Sequence, residues 1–373
     1  MPSVFLKAGR QLLPGLQGVA QLLDGERVVP VELKLEQNSG LVKNVALLSG
    51  EMLKSLNVGR IVRKTSERQA HWVIFVAVNT WLEYVASQAL GETIVEDEKV
   101  GLFLGLGTVD CDDDDAPIEF DGSRNDYASH LLGDTKPLVG LILLNSSAGS
   151  HIAQLTGIKG INGMFSPMAD AGAQALIEAY FSLRERQCKR ALVAAGSQKL
   201  TPWYYLAYRE LLSQRYQAGF PTESAAALVA ITEPEVDTCE LYAVKRLFNP
   251  PENRGFPRLQ VFIDELAQQG VAAPTQVIYT GGLQLSGQQR NDLAEVFSSI
   301  SLCCLDQLVG YTGPASALHG VHLAIAILQQ QRLFSTLAAN DTQVIDERVE
   351  SVLIIAEGFN GQLCYLVVGV NRV

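Results

Sequence analysis

Basic runs, paired CxxC cysteines and long apolar stretches are all missing from this 373-residue chain. Without a basic stripe, and with a formal net charge of -11, nucleic acid is not an expected partner. The longest apolar stretches, such as Leu138 to Leu144, fall far short of the roughly 20 residues a helical membrane span needs, so no membrane is expected either. The six cysteines (Cys111, Cys188, Cys239, Cys303, Cys304 and Cys364) are scattered, which fits reduced thiols rather than a disulfide framework. The first residues lack the basic-then-apolar order of a targeting segment, and a cytoplasmic location is the expectation. The acidic run Asp110 to Asp115 lacks the alternating ligands, glycine and glutamate of a calcium loop; it reads as a solvated loop. His319 and His322 share a helix face but have no acidic or cysteine partner at ligand spacing, so no metal is expected there. Nothing implies a cofactor.

What is present is a large apolar inventory, 47% hydrophobic against 18% charged, enough for a sizeable core. Strand and helix signals alternate, the pattern of an α/β protein. Val73 to Val78, Val100 to Leu104, Arg190 to Ala195 and Ala225 to Ile231 read as short buried strands. Ala171 to Arg186, Gly287 to Phe297 and Pro314 to Gln331 read as helices; in the last, Ala317, Val321, Ala324, Ile325 and Leu328 recur at helical spacing. A polar break at Glu233 to Asp237 precedes a further strand, Glu240 to Val244, and the two sides of the break repeat one theme. Two similar halves, 1–235 and 236–373, packed as one unit, are the expectation.

The segment around Ala169 carries the most information. Phe165 to Ala175 runs into a long helix, and Ala169, Ala171, Gly172, Ala173 and Ala175 predict that its first turns are tightly packed. A helix N-terminus so placed presents unpaired N–H groups and positive potential, a setting that lowers a thiol's pKa or holds an oxyanion. Here the position carries a methyl group.

Several motifs around it occur in a fixed order. Gly157-Ile158-Lys159-Gly160 precedes Ala169 by nine residues, counted from Gly160, and Gly172 follows three later. Next come Ala194-Ala195-Gly196-Ser197-Gln198, Gly219-Phe220, Glu223 to Val229, and Gly358-Phe359-Asn360-Gly361. In this order they resemble the β-ketoacyl synthases of the thiolase fold over nearly the whole chain. The resemblance implies two similar βαβ-type halves in a layered αβαβα arrangement. It also implies what has been lost. Ala169 stands at the position of the acyl-carrying cysteine. Thr280, in Tyr279-Thr280-Gly281-Gly282, takes the place of one catalytic histidine, and Tyr311, in Val309 to Gly313, takes the place of the other. Asp306 corresponds to the lysine that ordinarily lies five residues before that second histidine. Alanine cannot attack a thioester and threonine is no general base near neutral pH, so condensation by this chain alone is not expected.

An inactive ketosynthase-like chain implies a chain-length factor, the non-catalytic half of a heterodimer with an active ketosynthase in type II polyketide systems. The acyl carrier protein would then be reached through the complex. In such pairs the segment after Gly101 to Gly107 lines the interface end of the tunnel, which places Thr108, with Cys111 or Asp112, at the gate. Gly172, Gly358 and Phe359 are the expected remnants of the site's scaffold. Many chain-length factors carry glutamine where this chain has Ala169, so a malonyl decarboxylase activity is not implied. Two other readings stand beside this one. One is a homodimeric thiolase-like protein that holds acyl groups or a carrier. The other is a diverged acyltransferase or thioester hydrolase using Asp170, Tyr311 or Ser166, although helix capping is the expected role of Ser166.

Overall fold

The computed structural model describes residues 2–34, 42–48, 59–88, 99–107, 139–142, 144–166, 169–201, 204, 219–249, 255–282, 284–297, 300–336, 342–358 and 361–371. Its strands are β1 (Phe5–Leu12), β2 (Val31–Lys34), β3 (Val42–Val45), β4 (Val100–Leu106), β5 (Asn162–Phe165), β6 (Arg190–Gly196), β7 (Ala225–Ile231), β8 (Cys239–Phe248), β9 (Gln276–Thr280), β10 (Ser301–Cys304), β11 (Arg332–Thr336), β12 (Thr342–Asp346), β13 (Ser351–Glu357) and β14 (Gln362–Gly369). The helices are α1 (Arg60–Lys64), α2 (Arg68–Ser87), α3 (Val139–Ile142), α4 (Asn145–Thr156), α5 (Ala171–Arg184), α6 (Leu259–Gln268), α7 (Gly287–Val296), α8 (Leu305–Val309) and α9 (Ser316–Gln330).

Hydrogen bonds link ten strands in the order β10-β9-β13-β14-β8-β1-β7-β6-β4-β5. Read outward from the centre, β1-β7-β6-β4-β5 and β8-β14-β13-β9-β10 repeat one pattern: two antiparallel steps, then two parallel ones. Among the described residues, β1 and β8 join the two five-stranded units at Phe5↔Glu240 and Leu6↔Cys239, and the Leu241 N–H donates to the Val4 carbonyl at 2.8 Å.

Alternation along each strand feeds two different layers. In β4, Phe103 faces the cluster that includes α5 and α9, whereas Leu102 and Leu104 face the cluster built with α2 and α4. In β13, Val352, Ile354 and Ala356 face the same middle cluster, and Leu353 and Ile355 face α6 and α7. The outcome is a five-layer αβαβα arrangement of two similar halves, with α5 and α9 between the sheets. A helix in that position is enclosed on all sides, which is why Ser316 through Leu328 are all buried.

The strands expected at Val100, Arg190 and Ala225 are present, as are the three helices, with Gly313–Ala315 forming a 3₁₀ turn before α9. One assignment is corrected: Val73 to Val78 is not a strand but the middle of α2. Its apolar run is short, and the wider window decides. Gln69, Trp72, Val73, Val76, Ala77, Thr80, Trp81 and Tyr84 are buried at three- and four-residue spacing. No helix among the described residues is long and apolar enough to cross a membrane.

Candidate functional site

The site is assembled from the ends of elements in both halves. Ala169 lies two residues before α5, separated from it by Asp170, and is fully buried. The helix reaches its position through close backbone contacts: a Cβ on Gly105 of β4 would stand 2.5 Å from the Gly172 nitrogen. A Cβ on Gly172 would stand 2.4 Å from the Pro314 carbonyl oxygen and 3.2 Å from the Ala195 methyl. Only a hydrogen fits there, so Gly172 is where strand, helix and the turn after Tyr311 meet.

From the other half, the ends of β9 and β13 close over Ala169. Gly281, just beyond β9, has a φ of 87°. A Cβ on it would lie 2.2 Å from the Glu357 carbonyl oxygen and 2.8 Å from the Ala169 methyl. The Thr280 hydroxyl donates to Asp306 Oδ1 at 2.8 Å, and the Gly281 N–H donates to Asp306 Oδ2 at 2.7 Å. Both Thr280 and Asp306 are buried. Tyr311, also buried, donates its N–H to the Phe220 carbonyl at 2.7 Å and accepts from the Thr222 N–H at 2.8 Å. Gly358 ties the end of β13 to β14, its N–H donating to the Gln362 carbonyl at 2.8 Å. Thus Ala169, Gly172, Thr280, Gly358 and the turn that follows Tyr311 converge on the N-terminus of α5. Thr108, Cys111, Asp112 and Phe359 lie outside the described residues.

The chemistry available at this junction is sparse. A methyl, an alcohol and a phenol occupy the three positions. Asp170 is buried, and burial raises its pKa above the ordinary carboxyl value; the Gln174 side chain, which hydrogen-bonds it, and Arg246 offset this only in part. Burial also pushes Cys188, Cys239 and Cys304 to about 11. Cys303 and Cys364 rise well above the thiol range for the same reason, so these five are protonated at neutral pH. In α9, burial lowers His319 to about 3 and His322 to about 4. The two turn to separate partners: His319 Nδ1 lies 3.2 Å from Gln11 Oε1, while His322 Nε2 donates to the Ala227 carbonyl at 3.0 Å.

Ser166 departs from its expected role. It does not cap α5, whose flanking residue is Asp170 with no side-chain cap. Its hydroxyl donates to the Leu106 carbonyl at 2.8 Å and accepts from Asn145 Nδ2 at 3.0 Å, which pins the end of β4.

Two features were missed in the sequence. Lys199 and Glu67 form a buried ion pair at 2.7 Å beside the buried Glu223, which pairs with Arg68 and accepts from the Leu48 and Leu200 N–H groups at 3.1 Å. Separations of 132 and 155 residues leave no local signal for either pair. The second is α1, where Arg60, Arg63 and Lys64 are exposed with Ile61, just ahead of the half-exposed Arg68. The acidic net charge of the chain hides this basic cluster.

No protein-family model matches the chain, and neither does any curated protein. Solved structures do. A β-ketoacyl synthase from Burkholderia phymatum STM815 superposes with a TM-score of 0.77 at 13% identity, covering 100% of both chains. The ketosynthase ApeO in complex with its chain length factor ApeC, from Xenorhabdus doucetiae, gives 0.74 at 15% identity over 99% of this chain and 98% of the other. The AntDE:AntF complex, a type II polyketide acyl-carrier protein with its ketosynthase bound to the hexaketide, gives 0.71 at 16% identity over 100% of both. The fold is the thiolase-like ketosynthase fold.

Proposed function

We propose that this chain is a chain-length factor: a ketosynthase-like subunit without its own condensation chemistry, which pairs with an active ketosynthase and shapes its acyl tunnel. The observation that carries this reading is the Thr280–Asp306 pair. An alcohol and a carboxylate are bonded to each other where the resemblance calls for an imidazole and an ammonium group, beside a methyl where it calls for a thiol. The close contacts at Gly105, Gly172 and Pro314 persist around them, so the reading is of a retained frame without its reagents. In this reading residues 1–235 and 236–373 are two halves of a single unit.

The partner ketosynthase covers the β5 edge. That strand closes the sheet with β4 as its only strand neighbour among the described residues. The segments around it in the chain expose Leu141, Leu144, Leu155 and Ile161. The partner's growing chain stops where it meets the gate, assigned to Thr108 with Cys111 or Asp112, and steric closure sets its length. The carrier protein is reached through the complex.

The test is reconstitution. The chain is co-expressed with a cysteine-bearing ketosynthase and the carrier protein encoded beside it, and the complex is sized and assayed for product. Heterodimer formation and dependence of the product on both subunits support the reading. A chain that is soluble and dimeric alone, and ignores that ketosynthase, is instead a homodimeric acyl- or carrier-binding protein. Transfer of radiolabelled acyl groups to the isolated chain would revive a diverged acyltransferase or hydrolase.

A further inference from the structure

We propose that Asp306 is a positioning residue that keeps this subunit's own acyl position shut, by holding the backbone of Gly281 over Ala169. The inference rests on the reading that the chain is not itself acylated, and it extends that reading from lost chemistry to lost access.

The geometry has three parts. Both carboxyl oxygens of Asp306 are engaged with the end of β9, Oδ1 by the Thr280 hydroxyl and Oδ2 by the Gly281 N–H, at 2.8 and 2.7 Å. Asp306 is 1% exposed, so solvent cannot replace these donors; letting Gly281 move would cost a buried acceptor one of them. Gly281 in turn faces the Glu357 carbonyl and the Ala169 methyl so closely that a Cβ on it would stand 2.8 Å from that methyl. Ala169 has no accessible surface. A group attached at position 169 has no free surface to grow into, and in this proposal it gains room by displacing Gly281, which breaks the bond to Asp306. A lysine at 306 could not do this work, because an ammonium group accepts no hydrogen bond from an N–H or a hydroxyl. Asp306 and Thr280 form one device, an acceptor and a donor facing each other.

The experiment uses Ala169→Cys in the full chain to place a reporter thiol, with iodoacetamide as the probe. Alkylation is followed by peptide mass spectrometry under native conditions. Modification of a buried thiol tracks the fraction of time that its cover is open. The reporter thiol is expected to stay unmodified in the native protein and to react fully once it is denatured. Adding Asp306→Ala should accelerate native alkylation by about tenfold or more, and Thr280→Val, which removes one of the two donors, by a smaller factor. Cys188 and Cys239, buried elsewhere in the core, serve as internal controls. A role confined to general stability would raise their labelling in parallel, whereas local positioning raises that of the reporter alone. Two results overturn the proposal: rapid native alkylation of the reporter with Asp306 in place, or no selective acceleration in either second-site variant. Should Asp306→Ala fail to fold, Thr280→Val decides. None of these outcomes depends on pairing with a ketosynthase, which is read separately from complex formation and product length.

Discussion

The carbonyl oxygen of Pro314 stands 2.4 Å from where a Cβ on Gly172 would be, so the turn that follows Tyr311 rests directly on the first turn of α5. Both contacting groups are backbone and cannot swing aside. Gly172→Ala should therefore destabilise the fold by about 3 kcal/mol, at the upper end of overpacking costs. Urea unfolding of the variant and its parent measures this, and an unchanged midpoint would mean that the two backbones separate easily.

The Lys199–Glu67 pair predicts a different kind of loss. Its side chains are 2% and 3% exposed, so removing one partner leaves a charge that water cannot reach. Lys199→Met should cost about 3–5 kcal/mol, with the double change Lys199→Met, Glu67→Leu recovering part of it. Chemical denaturation of the three proteins gives the coupling; equal losses for the single and double variants would refute it.

Asp170 sets a pH dependence. Burial is the leading influence and raises its pKa in the folded chain. The folded state then binds the proton more tightly than the unfolded chain does. The stabilising contribution is full below the ordinary aspartate value and is lost as pH rises through the folded one. Asp170→Asn does not titrate, so it should match the parent in acid and exceed it in stability near pH 8. Unfolding midpoints across that range test the sign, and a variant that loses ground as pH rises contradicts it.

The tunnel reading predicts an effect on product and none on initiation. Thr108→Phe in the reconstituted pair should shorten the polyketide, which mass spectrometry of the products reads directly. Unchanged length would move the gate to other residues.

The cations of α1 offer a surface test. Carrier proteins are acidic, and Arg60, Arg63 and Lys64 stand exposed on a chain of net charge -11. If the chain pairs as proposed, reversing all three to Glu should lower carrier-dependent turnover of the pair several-fold at low salt and by less at high salt, as a screened attraction requires. A salt-independent result would place carrier docking on the partner subunit alone.

The sequence disclosed the features that are local. Val100, Arg190 and Ala225 begin apolar runs long enough to be buried strands, and the small residues from Ala169 to Ala175 announced a helix with no room around it. Val73 to Val78 misled because six apolar residues satisfy a strand and a helix equally; the buried positions from Gln69 to Tyr84 distinguish them only over the longer window. The resemblance set Asp306 where a lysine is expected. Its bond to Thr280 was not, because 26 residues separate the two and the pairing exists only once β9 and α8 are side by side. The buried ion pairs were invisible for the same reason, on a longer scale.

The two five-stranded units are built from alternating side chains, each strand serving one layer with its odd positions and another with its even ones. Residues 169, 280 and 311 contribute almost nothing to that arithmetic, since they stand where elements end. Side chains at these three positions could thus be exchanged without disturbing a single strand register. In the proposed reading, the frame of such a junction can be kept for its shape whatever groups stand at its centre.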